Sequence, residues 1–417
     1  MCWIKILPNT RISAKKAPLG VLALEEAVVA VIKPTSINTE QAPLVQSSMN
    51  LGLMGAAMAL QLLVSPHAAM ADSAPERGLM AFKYLDYLDS QPGSDRIRVK
   101  APSLLVMKPL SSEWSMSGTY TTDTISGASP AYHTQALKNM HDQRHAVELS
   151  TTHYDALGTQ TYGGSFSKEL DYLSKGIFYA FTKSSEDKNT TWNAGISTNS
   201  DQINPTNHIV SNETKQSLDL IMGVTQVMGI YDITQLQAGR YQGQGYFSDP
   251  YKVFDLRPRT RNHTTLMGKW NHHFESNQST LKMSYRYYDD SWGIESHTFN
   301  VEWVKPLQNQ WTVMPYVRVY TQSAASFFVN ADSSGLPFPP NPSLDATYYT
   351  EDQRMSAYGA HTFGFKVTKL IGQDTTLDVK LEQYQQRAGW RLGGSGSPGL
   401  DPFTAKTIQF GLAHYFD

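Results

Sequence analysis

Charged residues are scarce in this 417-residue chain, at 17%, and several of them sit inside short alternating segments. In RIRVKA (96 to 101), Arg96, Arg98 and Lys100 alternate with Ile97, Val99 and Ala101. In LKMSYRYY (281 to 288), Lys282 and Arg286 oppose Leu281, Met283, Tyr285 and Tyr287, and in LDVKLE (377 to 382), Asp378, Lys380 and Glu382 oppose Leu377, Val379 and Leu381. Glu302 and Arg318 take equivalent places in two further segments. A period of two puts the charges of one segment on one strand face. Lines of both signs facing each other across a passage would orient polar solutes and set ion preference. The same residues could instead pair with each other and with inserted loops, sealing the passage.

Other candidate chemistry is weaker. The stretch YHTQALKNMHDQRH offers His133, His141, Asp142 and His145, and a helix would bring His141 and His145 onto one face. A metal site needs further ligands and an ordered surrounding shell, so solvated or loop-packing histidines are expected there, and no metal. His272 and His273 are adjacent and would face opposite sides of a strand. The single cysteine, Cys2, excludes a disulfide framework, a Cys-ligated metal centre and a c-type haem, and no cofactor is expected. GGSGSPG departs from G-x-S-x-G because Ser397 stands where the last glycine belongs. No enzyme is expected, and an outer-membrane hydrolase is the least favoured reading. Arg257, Arg259 and Arg261 form a basic cluster that could meet lipopolysaccharide phosphates or an anionic solute, or be held by Asp255. With 35 basic and 37 acidic residues, nothing calls for a nucleic-acid partner.

The elements that would carry these residues follow from the turns. Residues 51 to 64, LGLMGAAMALQLLV, have signal-peptide length, and Ala69-Met70-Ala71 is a cleavage pattern, so residues 1 to 71 are expected to be leader and signal peptide, cut after Ala71. Residues 72 to 417 then break into about sixteen alternating segments separated by Gly, Asn, Asp, Ser and Pro clusters. Tight connectors such as PLSSE, ALGT, GIYD and IGQD alternate with long ones such as NPTNHIVSNETK and SDPYKVFDLRPRTR. That is the plan of an all-β fold: a transmembrane antiparallel up-and-down β-barrel with short periplasmic turns and long extracellular loops, placed in the bacterial outer membrane. A soluble β-sandwich or propeller would also alternate, but it would need another layer to cover each apolar face. In the barrel, lipid covers that face and closure removes open edges.

KPLSSEW (108 to 114) and KPLQNQW (305 to 311) place Trp114 and Trp311 just after short turns, where an interfacial aromatic girdle is expected. The final segment alternates through Ile408, Phe410 and Leu412, and its aromatics Tyr415 and Phe416 are expected at the interface. Barrels of this kind commonly end on a Phe read by the barrel-assembly machinery; here Asp417 follows Phe416.

The segments DYLDSQPGSDRIRVKAPSL, SGASPAYHT, NPTNHIV, YFSDPYKVFDLRPR, WNHHFE, FPPNP and GSGSPGLDPF resemble the DUF3570 family of Gram-negative bacteria, over about residues 78 to 417. The resemblance implies an outer-membrane β-barrel of uncharacterised function and supplies no catalytic residues. Family members are often encoded near a flavin transferase and a small lipoprotein, which suggests a periplasmic lipoprotein partner. The resulting expectation is a porin-like pore or solute channel, in contact with outer-membrane lipid and lipopolysaccharide. Arg96, Arg98, Lys100, Lys282, Arg286, Glu302, Arg318, Asp378, Lys380 and Glu382 would line its lumen. The alternative is a closed barrel acting as an envelope scaffold for a redox or flavin-linked lipoprotein.

Overall fold

The computed structural model describes residues 73–128, 139–252, 254–330 and 345–417. The leader, the expected cut after Ala71, His133 and the side chain of His141 lie outside what is described. The first strands are β1 (Gly78–Gln91), β2 (Ser94–Pro109), β3 (Trp114–Ala128), β4 (Asn139–Asp155), β5 (Gly158–Lys168) and β6 (Tyr172–Ser184). They are followed by β7 (Thr190–Ile203), β8 (Glu213–Val227), β9 (Asp232–Gly245), a short β10 (Asp255–Leu256), β11 (Thr260–Phe274) and β12 (Ser279–Asp290). The last are β13 (Glu295–Pro306), β14 (Trp311–Gln322), a short β15 (Tyr349–Thr350), β16 (Tyr358–Ile371), β17 (Thr375–Arg387) and β18 (Phe403–Phe416).

Sixteen of these strands close into one antiparallel barrel, while β10 and β15 pair with each other outside it. Closure is made by β18 against β1, with Gly78 opposite Phe416 and Ser90 opposite Thr404. One end of the barrel carries both strand termini and turns of two to five residues; the other carries the long connectors. The outer face is apolar through the middle of the wall: Phe82, Leu104, Leu149, Ile177, Leu236 and Phe363 are all more than 40% exposed. So large a continuous apolar surface belongs in hydrocarbon. The chain is therefore an outer-membrane barrel, with the apolar side of each alternation turned to lipid.

Trp114 and Trp311 stand on the outer face at the short-turn end, where Trp114 stacks on His153 at 4.3 Å and Lys369 lies 5.2 Å from the Trp311 ring. Phe416 also faces outward, its ring lying over Gly78. Tyr415 does not: it alternates with Gly411 and Ala413 onto the lumen side and packs on an inner apolar cluster, so its expected interfacial place is corrected.

A second correction concerns β2. Leu88 faces Arg98 and Ser90 faces Asp95, so Asp89 stands opposite both Arg96 and Ile97. This bulge adds one residue to β2 and inverts the alternation beyond it. Arg96 turns inward, 3.7 Å from Asp89, and Ile97, Val99 and Ala101 also turn inward. Arg98 and Lys100 are thereby exposed on the outer face, where Arg98 pairs with Asp86, and they do not line the lumen. Inside, Leu79, Leu85, Ile97, Val99 and Phe403 form an apolar cluster where a purely polar interior was expected.

Candidate functional site

The lumen has two unlike walls. One runs from β12 through β18 to β1 and carries the charges. Lys282 on β12 meets Glu302 on β13 at 3.3 Å. On β17, Lys380 pairs with Glu382 at 2.7 Å, and Tyr316 of β14 donates its hydroxyl to the same Glu382. Asp378 is shared by Lys366 of β16 at 3.2 Å and Lys83 of β1 at 2.9 Å. Arg286 and Arg318 share this inward face. Seven of the ten residues expected in the lumen thus stand on one continuous wall, joined by Lys83 and Lys366, which the sequence reading did not single out.

Two of these links reach across an intervening strand, and glycine makes the reach possible. Gly364 of β16 lies between Tyr316 and Glu382 in register, and a Cβ there would sit 2.0 Å from the Tyr316 ring. Gly411 of β18 lies between Lys83 and Asp378, and a Cβ there would sit 1.9 Å from the Asp378 carboxylate. Only hydrogen fits in either gap.

The opposite wall, from β3 to β9, is built mainly of hydroxyls and amides, with Glu148 among them and two ion pairs toward the long-loop end, Arg144 with Asp123 at 2.7 Å and Lys215 with Asp201 at 3.1 Å. Ser117 bonds Ser150 at 2.7 Å, Thr152 bonds Thr161 at 3.0 Å, and Ser184 bonds Thr191 at 3.0 Å, each between neighbouring strands. Asn193, Ser197, Asn199 and Ser217 continue the inward face. Asp219 is buried there without an ion-pair partner among the described residues.

Near the long-loop end a tyrosine motif recurs. Tyr87 donates to Asp89 (3.0 Å), Tyr288 to Asp290 (2.8 Å), Tyr320 to Gln322 (2.6 Å) and Tyr384 to Gln386 (2.9 Å). Residues two apart share a strand face, so each Tyr-x-Asp/Gln supplies its own acceptor. This spacing is visible in the sequence.

Above these tyrosines two connectors fold together, 246–259 and the described parts of 323–357, and β10 pairs with β15. Asp352 is their hub, taking Arg257 at 2.8 Å, Arg354 at 2.7 Å and Lys252 at 3.7 Å. Burial acts to raise its pKa, but Arg354, Lys252 and Arg257 outweigh it and hold the carboxyl well below the usual carboxylate range. The two connectors form a latch across the mouth, reaching from the β5–β6 turn, where Tyr251 donates to Asp171, to the 388–402 connector, where Ser397 bonds Ala357. The expected basic cluster is dispersed: Arg257 is inside the latch, Arg259 pairs with Glu213 at 2.6 Å, and Arg261 pairs with Asp290 at 2.7 Å over Trp292.

The remaining sequence candidates have structural places. Residues 139–155 are a strand, so four-residue spacing spans ~13 Å and His141 and His145 cannot chelate as a helical pair. His145 bonds Tyr120 on the outer face. Ser397 exchanges bonds with the backbone of Ala357, pinning the 388–402 connector.

Residues 136–212 and 206–406 match the model of a family described as a protein of unknown function, DUF3570. No curated protein matches the chain. Among solved structures, the chain is similar to a bacterial polysaccharide outer membrane secretin, with TM-score 0.50 and 7% identity over 82% of this chain and 100% of that one. It is also similar to the siderophore receptor PirA from Pseudomonas aeruginosa, with TM-score 0.44 and 9% identity over 80% of this chain and 61% of that one. A FadL homologue from the same organism gives TM-score 0.39 and 11% identity over 82% and 90%. At such identities the likeness is one of fold.

Proposed function

Given that the chain belongs to the DUF3570 family, we propose that it is an outer-membrane channel for small polar solutes, with a preference for anions and a gate at its long-loop end. One observation carries this reading: below the level of the tyrosines, Lys83, Lys282, Arg286, Arg318, Lys366 and Lys380 outnumber Glu302, Asp378 and Glu382 on a wall that faces hydroxyls, amides and the carboxylates of Glu148 and Asp219. Such an arrangement sets a transverse field across the lumen, which favours anions and orients dipoles. Arg98, Lys100 and Lys406 stand on the lipid face toward the long-loop end, a place suited to lipopolysaccharide phosphates. No catalytic role is proposed.

The test is single-channel conductance of the folded barrel in a planar lipid bilayer under a salt gradient. Steady steps with an anion-selective reversal potential are expected. Conducting channels without selectivity would overturn the charge assignment.

The latch across the mouth favours a second reading, a closed barrel that acts as an envelope scaffold for a periplasmic lipoprotein. It predicts little conductance from inserted protein and a stable co-purifying partner.

A further inference from the structure

Three carboxylates meet at the long-loop end of the hydroxyl wall. Glu169 and Asp171 flank Leu170 in the turn between β5 and β6, and Leu170 is 76% exposed. Alternation therefore turns both acids inward while the leucine points out. Continuing the β4–β5 register, in which His145 faces Lys168, brings Asp142 opposite Asp171. Each of the three offers an oxygen, and these oxygens all lie within 4.8 Å of one another.

What separates this cluster from an ordinary acidic patch is Glu169. It is 4% exposed, and both carboxylate oxygens lack a hydrogen-bond partner. A buried carboxylate left without donors is costly unless something neutralises it. Arg144, a cation whose charge acts on Glu169, donates to Asp123 at 2.7 Å. Asp171 accepts from the Tyr251 hydroxyl, which ties the turn to the 246–259 connector. Asp142 is only partly buried and leaves an approach.

We propose that Asp142, Glu169 and Asp171 bind a calcium ion. Oxygen-only donors exclude the softer transition metals as preferred occupants. Carboxylates on a turn and a strand suit the variable coordination of calcium better than the strict octahedron of magnesium. The ion would join β4, the β5–β6 turn and, through Tyr251, the loop that forms the latch. Its site lies at the long-loop end, where millimolar external calcium is compatible with an affinity in the range of about 10⁻⁴–10⁻³ M typical of extracellular modules.

Terbium, a calcium mimic excited through nearby tyrosine, provides the probe for the purified full chain in detergent. Sensitised terbium luminescence that calcium displaces and equimolar magnesium displaces poorly is expected, together with a calcium-dependent rise in unfolding temperature. Glu169→Gln should weaken calcium at least about tenfold, and Asp142→Asn, at the partly buried ligand, provides the second variant should the first fail to fold. Absence of calcium-displaceable luminescence in the wild type, or unchanged calcium affinity in both folded variants, would overturn the proposal.

Discussion

The charged wall and the hydroxyl wall line the same lumen, yet they are held together in different ways. Hydroxyl pairs such as Ser117–Ser150 and Thr152–Thr161 join neighbouring strands, each bond short, local and replaceable by water. The charged wall is a chain in which Asp378 serves two lysines and Glu382 serves a lysine and a tyrosine. Losing one member there strands the others. The lesson is that polar lumen residues are not equivalent: paired hydroxyls tolerate change, linked charges do not.

The sharpest way to break the contrast is to remove a hub. Asp378→Ala leaves Lys83 and Lys366 facing each other without their shared carboxylate, and should destabilise the barrel by about 3–5 kcal/mol, read from urea unfolding in detergent. Asp219→Asn on the hydroxyl wall should stay within about 1 kcal/mol of the parent, because it removes a buried charge that has no ion-pair partner among the described residues. Equal effects would erase the distinction. A smaller contrast is expected for the glycines. Gly364→Ala drives a methyl into the Tyr316 ring and should cost about 2–3 kcal/mol. Gly239→Ala meets chiefly the Thr265 hydroxyl, which can rotate away, and should cost well under about 1 kcal/mol by the same assay.

Function should separate the walls too. Reversing Arg286 and Arg318 together to Glu should move the reversal potential toward cations, whereas Ser197→Ala and Ser217→Ala should leave its sign unchanged. The mildest test is pH. Asp352 has its carboxyl depressed below the unfolded value of 3.8, so its stabilising contribution is present above that value and is lost as pH falls through the folded pKa. Loop proteolysis should therefore stay constant between pH 7 and about 4, and rise only below that. Asp352→Asn should raise it at pH 7.

Strand positions were readable because alternation and turn chemistry are local properties, and all sixteen expected segments coincide with barrel strands. The inward placement of Lys282, Glu302, Arg318, Asp378, Lys380 and Glu382 follows the same parity. Parity misled only where the local count changed: the extra residue at Arg96 and Ile97 has no signature in composition, so Arg98 and Lys100 were placed on the wrong face. At Tyr415, aromaticity suggested the interface, while alternation with Gly411 and Ala413 points inward. The latch was unreadable because it depends on Arg257 meeting Asp352, 95 residues away, a pairing no local pattern encodes. The Asp142, Glu169 and Asp171 cluster was hidden likewise, since its members come from a strand and a separate turn.

The gap at Gly411 bears on how the ring closes. A slip of β18 by two residues would keep every apolar side chain on lipid and every small one inside, so alternation alone cannot forbid it. Such a slip would, however, bring Gln409 or Ala413 between Lys83 and Asp378, where there is no room for a side chain. Gly411 thus acts as an index mark, admitting one alignment of the final strand against β1 and β17, and Gly364 does the same for β16 between β14 and β17.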